Sequence, residues 1–210
     1  MIEECGHGTL LAAEHPQESW NHFGMTWDQH IPPLIADFYE VYDYRHAASI
    51  LRHEFPSECA ELMNALIDSR ISKKDITEKG ENESNIPKRL FALLRPLGWV
   101  EDQLRSELSV DGKKVSKDTH KVDYLKGGVA LDLEWNSNEQ TYDRDLSAFR
   151  EFHAFGKISV GVLVTRGVSR AKYGASATWM GKLITRLEAE RSGGCPVLAL
   201  GMKPAVIRDL

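Results

Sequence analysis

Residues 122–136, Val-Asp-Tyr-Leu-Lys-Gly-Gly-Val-Ala-Leu-Asp-Leu-Glu-Trp-Asn, constrain the fold of this 210-residue chain more than any other stretch. Val129, Leu131, Leu133 and Trp135 alternate with Ala130, Asp132, Glu134 and Asn136, the two-residue period of a β-strand. Lys126-Gly127-Gly128 supplies permissive residues for a tight turn, so the spacing predicts two strands, 121–125 and 129–135, folded back on each other. That hairpin sets Asp123 beside Asp132, with Glu134 one strand repeat further on. Three carboxylates in a small space repel one another unless a cation neutralises them. Hard divalent cations such as Mg2+ prefer such oxygen ligands. A polar strand face turned to solvent gives the same spacing, and spacing alone leaves both readings open.

The sequence around the hairpin sets the architecture. A helix is predicted from about Asp143 to Phe155, with Leu146, Phe149 and Phe152 on its apolar face and Gly156 as its cap. Ile158 to Val164 is nearly all apolar, as a strand covered on both faces should be. A second helix, Thr178 to Arg191, ends at Gly193-Gly194, and Pro196 to Leu200 reads as a last buried strand. The order β-β-α-β-α-β predicts an α/β fold, a mixed central β-sheet flanked by helices. Upstream, 105–120 reads as a polar hairpin or loop turning at Asp111-Gly112. Residues from Pro33 to Ser69 read as helical: Leu34, Ile35, Phe38, Tyr39 and Tyr42 share a three-four spacing, and Pro56 opens a second stripe through Cys59, Leu62, Met63, Leu66 and Ile67. Pro87 starts another helix with Leu90, Phe91, Leu94 and Leu97 inward, after a polar loop from Ser72 to Ile86. His7, His15, His22 and His30 are irregularly spaced in an N-terminal arm or early helix. The expected organisation is a single domain over 1–210, with a mainly helical part over about 1–100 and an α/β core over about 101–204.

Composition bounds the function classes. Apolar content of 42% and charged content of 27% are ordinary for a globular domain. No stretch is long and apolar enough to span a membrane, and the acidic start, Met1-Ile2-Glu3-Glu4, is unlike a secretory signal. Cys5, Cys59 and Cys195 are scattered and odd in number, which fits a reducing, cytoplasmic setting and no disulfide framework. Net charge is −5, yet Lys157 to Arg191 carries seven basic residues against two acids. A basic face on an acidic protein is compatible with a polyanion, and equally with a solvated helix and loop.

Val122 to Arg166 resembles the catalytic core of PD-(D/E)XK nucleases, and most of all type II restriction endonucleases of the BglII kind. The residues that carry the resemblance are Asp123, Asp132 and Glu134, followed by Glu134-Trp135-Asn136, Asp143-Arg144-Asp145-Leu146 and Gly161-Val162-Leu163-Val164-Thr165-Arg166. Tyr44-Arg45-His46-Ala47-Ala48-Ser49-Ile50-Leu51 and Leu97-Gly98-Trp99 extend it over roughly residues 40–200. The family has an Asp on a hairpin, then an acid, a spacer and Lys, Glu or Gln. Two positions depart: Asp132 stands where closer relatives carry Glu, and Glu134 where the wider superfamily carries Lys and BglII-like members Gln.

The resemblance implies a Mg2+-dependent restriction endonuclease of a restriction-modification system. Asp123, Asp132 and Glu134 would be catalytic and metal-binding, and double-stranded DNA would be cut by activated water to leave 5′-phosphate ends. It also implies a homodimer, whose two-fold axis would match that of a palindromic site. Asn136, Ser137 and Asn138 follow the acidic strand and approach DNA in that reading, or form a polar turn into the next helix. The loop after the apolar strand carries Arg166, Ser169, Arg170 and Lys172, candidates for base and phosphate contacts. Arg144 either bridges acids such as Asp145 or faces solvent. Two other readings remain: a catalytically inactive DNA-binding module that retains the nuclease fold, because Glu occupies the lysine position, and an interaction protein whose acidic strand face is incidental.

Overall fold

A computed structural model of the chain describes residues 27–72, 75, 85–111, 113–135, 140–168 and 178–208, without the side chains of 105–110 and 113–120. A single helical turn at Trp27–Gln29 leads to α1 (Pro33–Phe38), β1 (Tyr39–Tyr44), α2 (Ala47–Glu54), α3 (Pro56–Asp68) and α4 (Asn85–Leu94). The hairpin β2 (Val100–Val110) and β3 (Lys113–Lys126) follows, then β4 (Val129–Leu133), α5 (Gln140–Ala154), β5 (Val160–Arg166), α6 (Met180–Glu188) and β6 (Val197–Met202). The strands form a six-stranded mixed sheet in the order β1-β6-β5-β4-β3-β2. β4, β5 and β6 run parallel, and β1, β3 and β2 are antiparallel to their neighbours.

The β-β-α-β-α-β order over 113–202 is as expected, with boundaries moved by a few residues. The first half differs in one element. Tyr39–Tyr44 is not helical: α1 stops at Phe38, and the chain pairs with β6 from Tyr39↔Met202 to Tyr44↔Val197. Tyr-Glu-Val-Tyr-Asp-Tyr is rich in aromatic and β-branched residues, which suit a pleated surface. Tyr39 and Val41 pack in one layer while Tyr42 and Tyr44 pack in the other, the alternation of a strand. Leu34, assigned to the same helical stripe, is 45% exposed, and Leu97, expected inward, is 44% exposed.

Two apolar layers enclose the sheet. On one side α1–α4 cover Tyr124, Leu131, Leu133, Val162, Val164 and Leu200. On the other, α5 and α6 cover Val122, Ala130, Leu163, Val197 and Ala199 with Phe149, Phe152, Leu183 and Leu187. Each fully buried Leu or Phe contributes roughly 1.5–3 kcal/mol of transfer free energy. The turn into β4 is tied to the helical layer. Gly127 has φ +58°, and a Cβ on Gly128 would lie 2.5 Å from the Phe55 ring. Lys126 adds contacts of 2.6 and 2.7 Å to the Glu61 carboxylate, which also accepts from Trp99 Nε1 at 2.9 Å. The hairpin that carries the acids therefore rests on α3.

Candidate active site

β3 is bulged where its acid sits. Val100 pairs with Leu125 but Asp102 pairs with Val122, so β3 fits three steps against two of β2. A bulge of this kind re-aims side chains. Val122 and Leu125 both pack on the α5 side, and Tyr124 on the other. On the far edge of β3, Tyr124 faces Leu131, which places Asp123 opposite Asp132. The two acids grip each other's strands. The Asp123 N–H donates to Asp132 Oδ1 at 2.7 Å, and the Leu133 N–H donates to the Asp123 carboxylate.

Asp132 and Glu134 share the α5-facing side of the chain with Ala130. They are not a solvent-facing strand face: Asp132 is 3% exposed and Glu134 5%. Glu134 lies just past β4 and is held by its backbone N–H, which donates to Val164 O of β5 at 2.8 Å. α5 brings a fourth acid, Asp145, which is 2% exposed. Arg144 spans the last two. Its Nη2 lies 3.2 Å from Glu134 Oε1 and 3.1 Å from Asp145 Oδ1, and its Nε also donates to Asp145 Oδ1 at 3.1 Å.

Burial raises Asp123, Asp132 and Asp145, and repulsion between cluster acids adds to it for Asp132 and Asp145. Asp132 is held well above the usual carboxylate range by burial first, then by the charges of Asp123 and Glu134, against the pull of the Asp123 N–H. Burial also raises Asp145, with Asp132 and Glu134 adding to it and Arg144 opposing. Asp123 is raised by burial, with Lys121 and Arg144 working against the shift. Arg144 loses solvation, but Asp145 and Glu134 more than compensate and strengthen its hold on its proton.

Asp132 Oδ2 is buried and finds no hydrogen-bond partner among the described residues. A buried carboxylate oxygen without a donor is costly. Here it lies in a cluster of oxygen donors, the donor type that suits Mg2+. Among the described residues, no three His, Cys, Asp or Glu side chains already stand spaced as a finished metal site. Arg144 holds Glu134 and Asp145 on its own guanidinium. The donor chemistry therefore fits a hard divalent cation, provided that guanidinium moves aside.

Of the residues expected to act, the structure brings together Asp123, Asp132 and Glu134. It adds Asp145, which sequence reasoning missed although the signal was present. Tyr142, Asp145, Leu146, Phe149 and Phe152 form one buried stripe of α5, and an acid on an apolar stripe needs a reason to be there. Arg166 is not brought to an outer surface. It is 4% exposed, donates from Nε to Trp135 O at 2.8 Å, and lies 4.3 Å over the Trp135 ring. In this position it supports the chain just past Glu134. Asn136, Ser137, Asn138, Ser169, Arg170 and Lys172 lie outside the described residues.

A mixed sheet between two helical layers, with acids on a bulged hairpin and on the following parallel strand, defines a restriction-endonuclease-like α/β protein. The family model for restriction endonuclease BglII/BglIII matches residues 39–202, and the chain belongs to that family. The match opens on the first residue of β1 and closes on the last of β6, so it spans the whole sheet. No curated protein matches the chain. Membership makes it a restriction endonuclease, a nuclease acting on DNA. Among the described residues, no helix is long and apolar enough to cross a membrane.

Proposed function

We propose that this chain is a type II restriction endonuclease that cuts double-stranded DNA at a specific sequence, as a homodimer, with Mg2+ as cofactor. The observation that carries this reading is the partnerless Asp132 Oδ2, buried between Asp123 and Glu134. Asp123, Asp132 and Glu134 would hold the ion. When bound, Mg2+ lowers the pKa of a water and offsets charge on a phosphoryl oxygen.

The chain's own residues supply the rest. The Asp123 N–H bond to Asp132 Oδ1, and the Leu133 N–H facing the Asp123 carboxylate, orient the two acids before DNA arrives. Glu134 is anchored through its backbone to β5 and is suited to take the proton of the attacking water. That water would add in line to the phosphorus, and the 3′ oxygen would leave, giving a 5′-phosphate end. Asn136, Ser137 and Asn138 follow the acids directly, and Ser169, Arg170 and Lys172 follow β5. Both segments would approach bases and phosphates, with Arg166 holding the base of the site through Trp135.

The ion pair between Arg144 and Glu134 favours a second reading, a DNA-binding module that keeps the fold without cutting. One digestion separates the two. Plasmid DNA of known sequence is incubated with Mg2+ or with EDTA, and the fragment ends are mapped. Discrete fragments with 5′-phosphate ends, seen only with Mg2+, support the nuclease. Salt-sensitive DNA binding with intact plasmid supports the module.

A further inference from the structure

Arg144 sits at the mouth of the acid cluster. Its side chain is 55% exposed, while those of the acids it touches, Glu134 and Asp145, are 7% and 3% exposed. It therefore closes the cluster on the solvent side, the side from which a cation and a phosphodiester must both come. Its position on α5, next to Asp145, makes it a neighbour of all the buried acids, and it acts electrostatically on Asp123 and Asp132 as well. One guanidinium cannot balance four carboxylates. It reaches one oxygen of Glu134 and one of Asp145, and leaves Asp132 Oδ2 and Asp145 Oδ2 without a donor among the described residues. A divalent ion placed among the acids would repel the guanidinium and take over its partners. The nearest place left for it is the solvent side, where its side chain is already 55% exposed and where a phosphodiester would approach. Planar guanidinium groups bind phosphate oxygens in pairs.

We propose that Arg144 is a catalytic residue with two positions: a counter-charge parked on Glu134 and Asp145 in the free protein, and a ligand of the scissile phosphodiester once a divalent cation has displaced it. The inference rests on the nuclease reading above and adds to it a source of positive charge from α5. In the second position the guanidinium donates to non-bridging phosphate oxygens as their charge grows, and Glu134 exchanges its pairing with Arg144 for the ion. No bond to Arg144 forms or breaks.

The test uses Arg144→Ala and Arg144→Lys in the full chain, with circular dichroism to check folding. Mn2+ affinity is measured by calorimetry without DNA, and cleavage is measured at saturating Mg2+. Arg144→Ala removes a competitor for the acids, so it should bind Mn2+ about tenfold more tightly while cutting roughly 100- to 1000-fold more slowly. Arg144→Lys keeps a charge without the planar fork and should fall between parent and Arg144→Ala in both readouts. Should Arg144→Ala fail to fold, Arg144→Lys alone decides. Tighter Mn2+ binding with slower cutting upholds the proposal. Mn2+ affinity that is unchanged or weaker overturns it, and so does cutting at the parental rate. A parent that cuts no DNA refutes the nuclease reading and this inference with it. A parent that cuts while Arg144→Ala cuts equally well refutes this inference alone.

Discussion

Asp132→Asn should stabilise the metal-free protein and destroy its activity. The structure sets the balance. Asn keeps an oxygen that accepts the Asp123 N–H, now at 2.7 Å. Its amide nitrogen falls where Oδ2 finds no donor among the described residues, and offers donors towards neighbouring carboxylates. The hydrogen bonds of Arg144 go to Glu134 and Asp145, so they survive the change. The substitution removes a carboxyl whose ionised form burial and repulsion both oppose. Relief of a strained functional site commonly returns about 0.5–2 kcal/mol. A gain of about 1 kcal/mol corresponds to ~2–4 °C in Tm for a chain of this size. In Mg2+ the order should reverse. An ion at about 100 times its Kd stabilises the parent by about 2.7 kcal/mol through mass action, and Asp132→Asn should gain little of that. The assay is a pair of thermal melts at about pH 8, where carboxylates are normally charged, one in EDTA and one in excess Mg2+. Plasmid cleavage is followed in parallel. If Asp132→Asn melts below the parent in EDTA, the carboxylates are not in mutual repulsion and the site as described is wrong. If both proteins gain equally from Mg2+, the ion does not bind through Asp132.

Two further outcomes test the frame around the site. Glu61 is partly buried, which raises its carboxyl, but its bonds to Lys126 and Trp99 outweigh burial and hold it below the usual carboxylate range. Its contribution is therefore present above the unfolded pKa of about 4.3 and is lost as pH falls through the lower folded value. Urea denaturation should find Glu61→Gln less stable by about 1–2 kcal/mol at neutral pH, with the gap closing towards about pH 3, whereas a gap independent of pH would show that the charge of Glu61 is not what matters. Arg166→Lys removes both the stacking over Trp135 and the bond to Trp135 O. It should cost roughly 1–3 kcal/mol in the same assay. A loss under about 0.5 kcal/mol would place Arg166 outside the support of the site.

Much of the fold was legible because the second half obeys simple periods. The alternation of Val129 to Trp135 placed Asp132 and Glu134 on one face, and the nearly all-apolar run from Ile158 to Val164 marked a strand covered on both sides. Tyr39–Tyr44 was misread because Leu34, Ile35 and Phe38 continue into it at a spacing that suits a helix, and only pairing with β6 decides the matter. The register that sets Asp123 against Asp132 follows from the Gly127-Gly128 turn, but the bulge beside Asp123 is a property of β2 and β3 together. Asp145 was hidden for a different reason. Its role depends on α5 packing over β4, a long-range contact that a helical stripe announces without naming its target. Arg166 shows the opposite error: a basic residue at a strand end reads as outward, yet a neighbouring indole and carbonyl made burial the better place for it.

β1 carries a consequence beyond its misreading. It comes from the first third of the chain and shields the outer rim of β6, whose six residues are all buried. A fragment begun after Tyr44 would bare that rim, a row of open amides on a wholly apolar ribbon, the kind of edge through which polypeptides stick to one another. On a ribosome, β1 emerges long before its partner is made, so this sheet cannot be closed on that side until the chain has been synthesised through Met202.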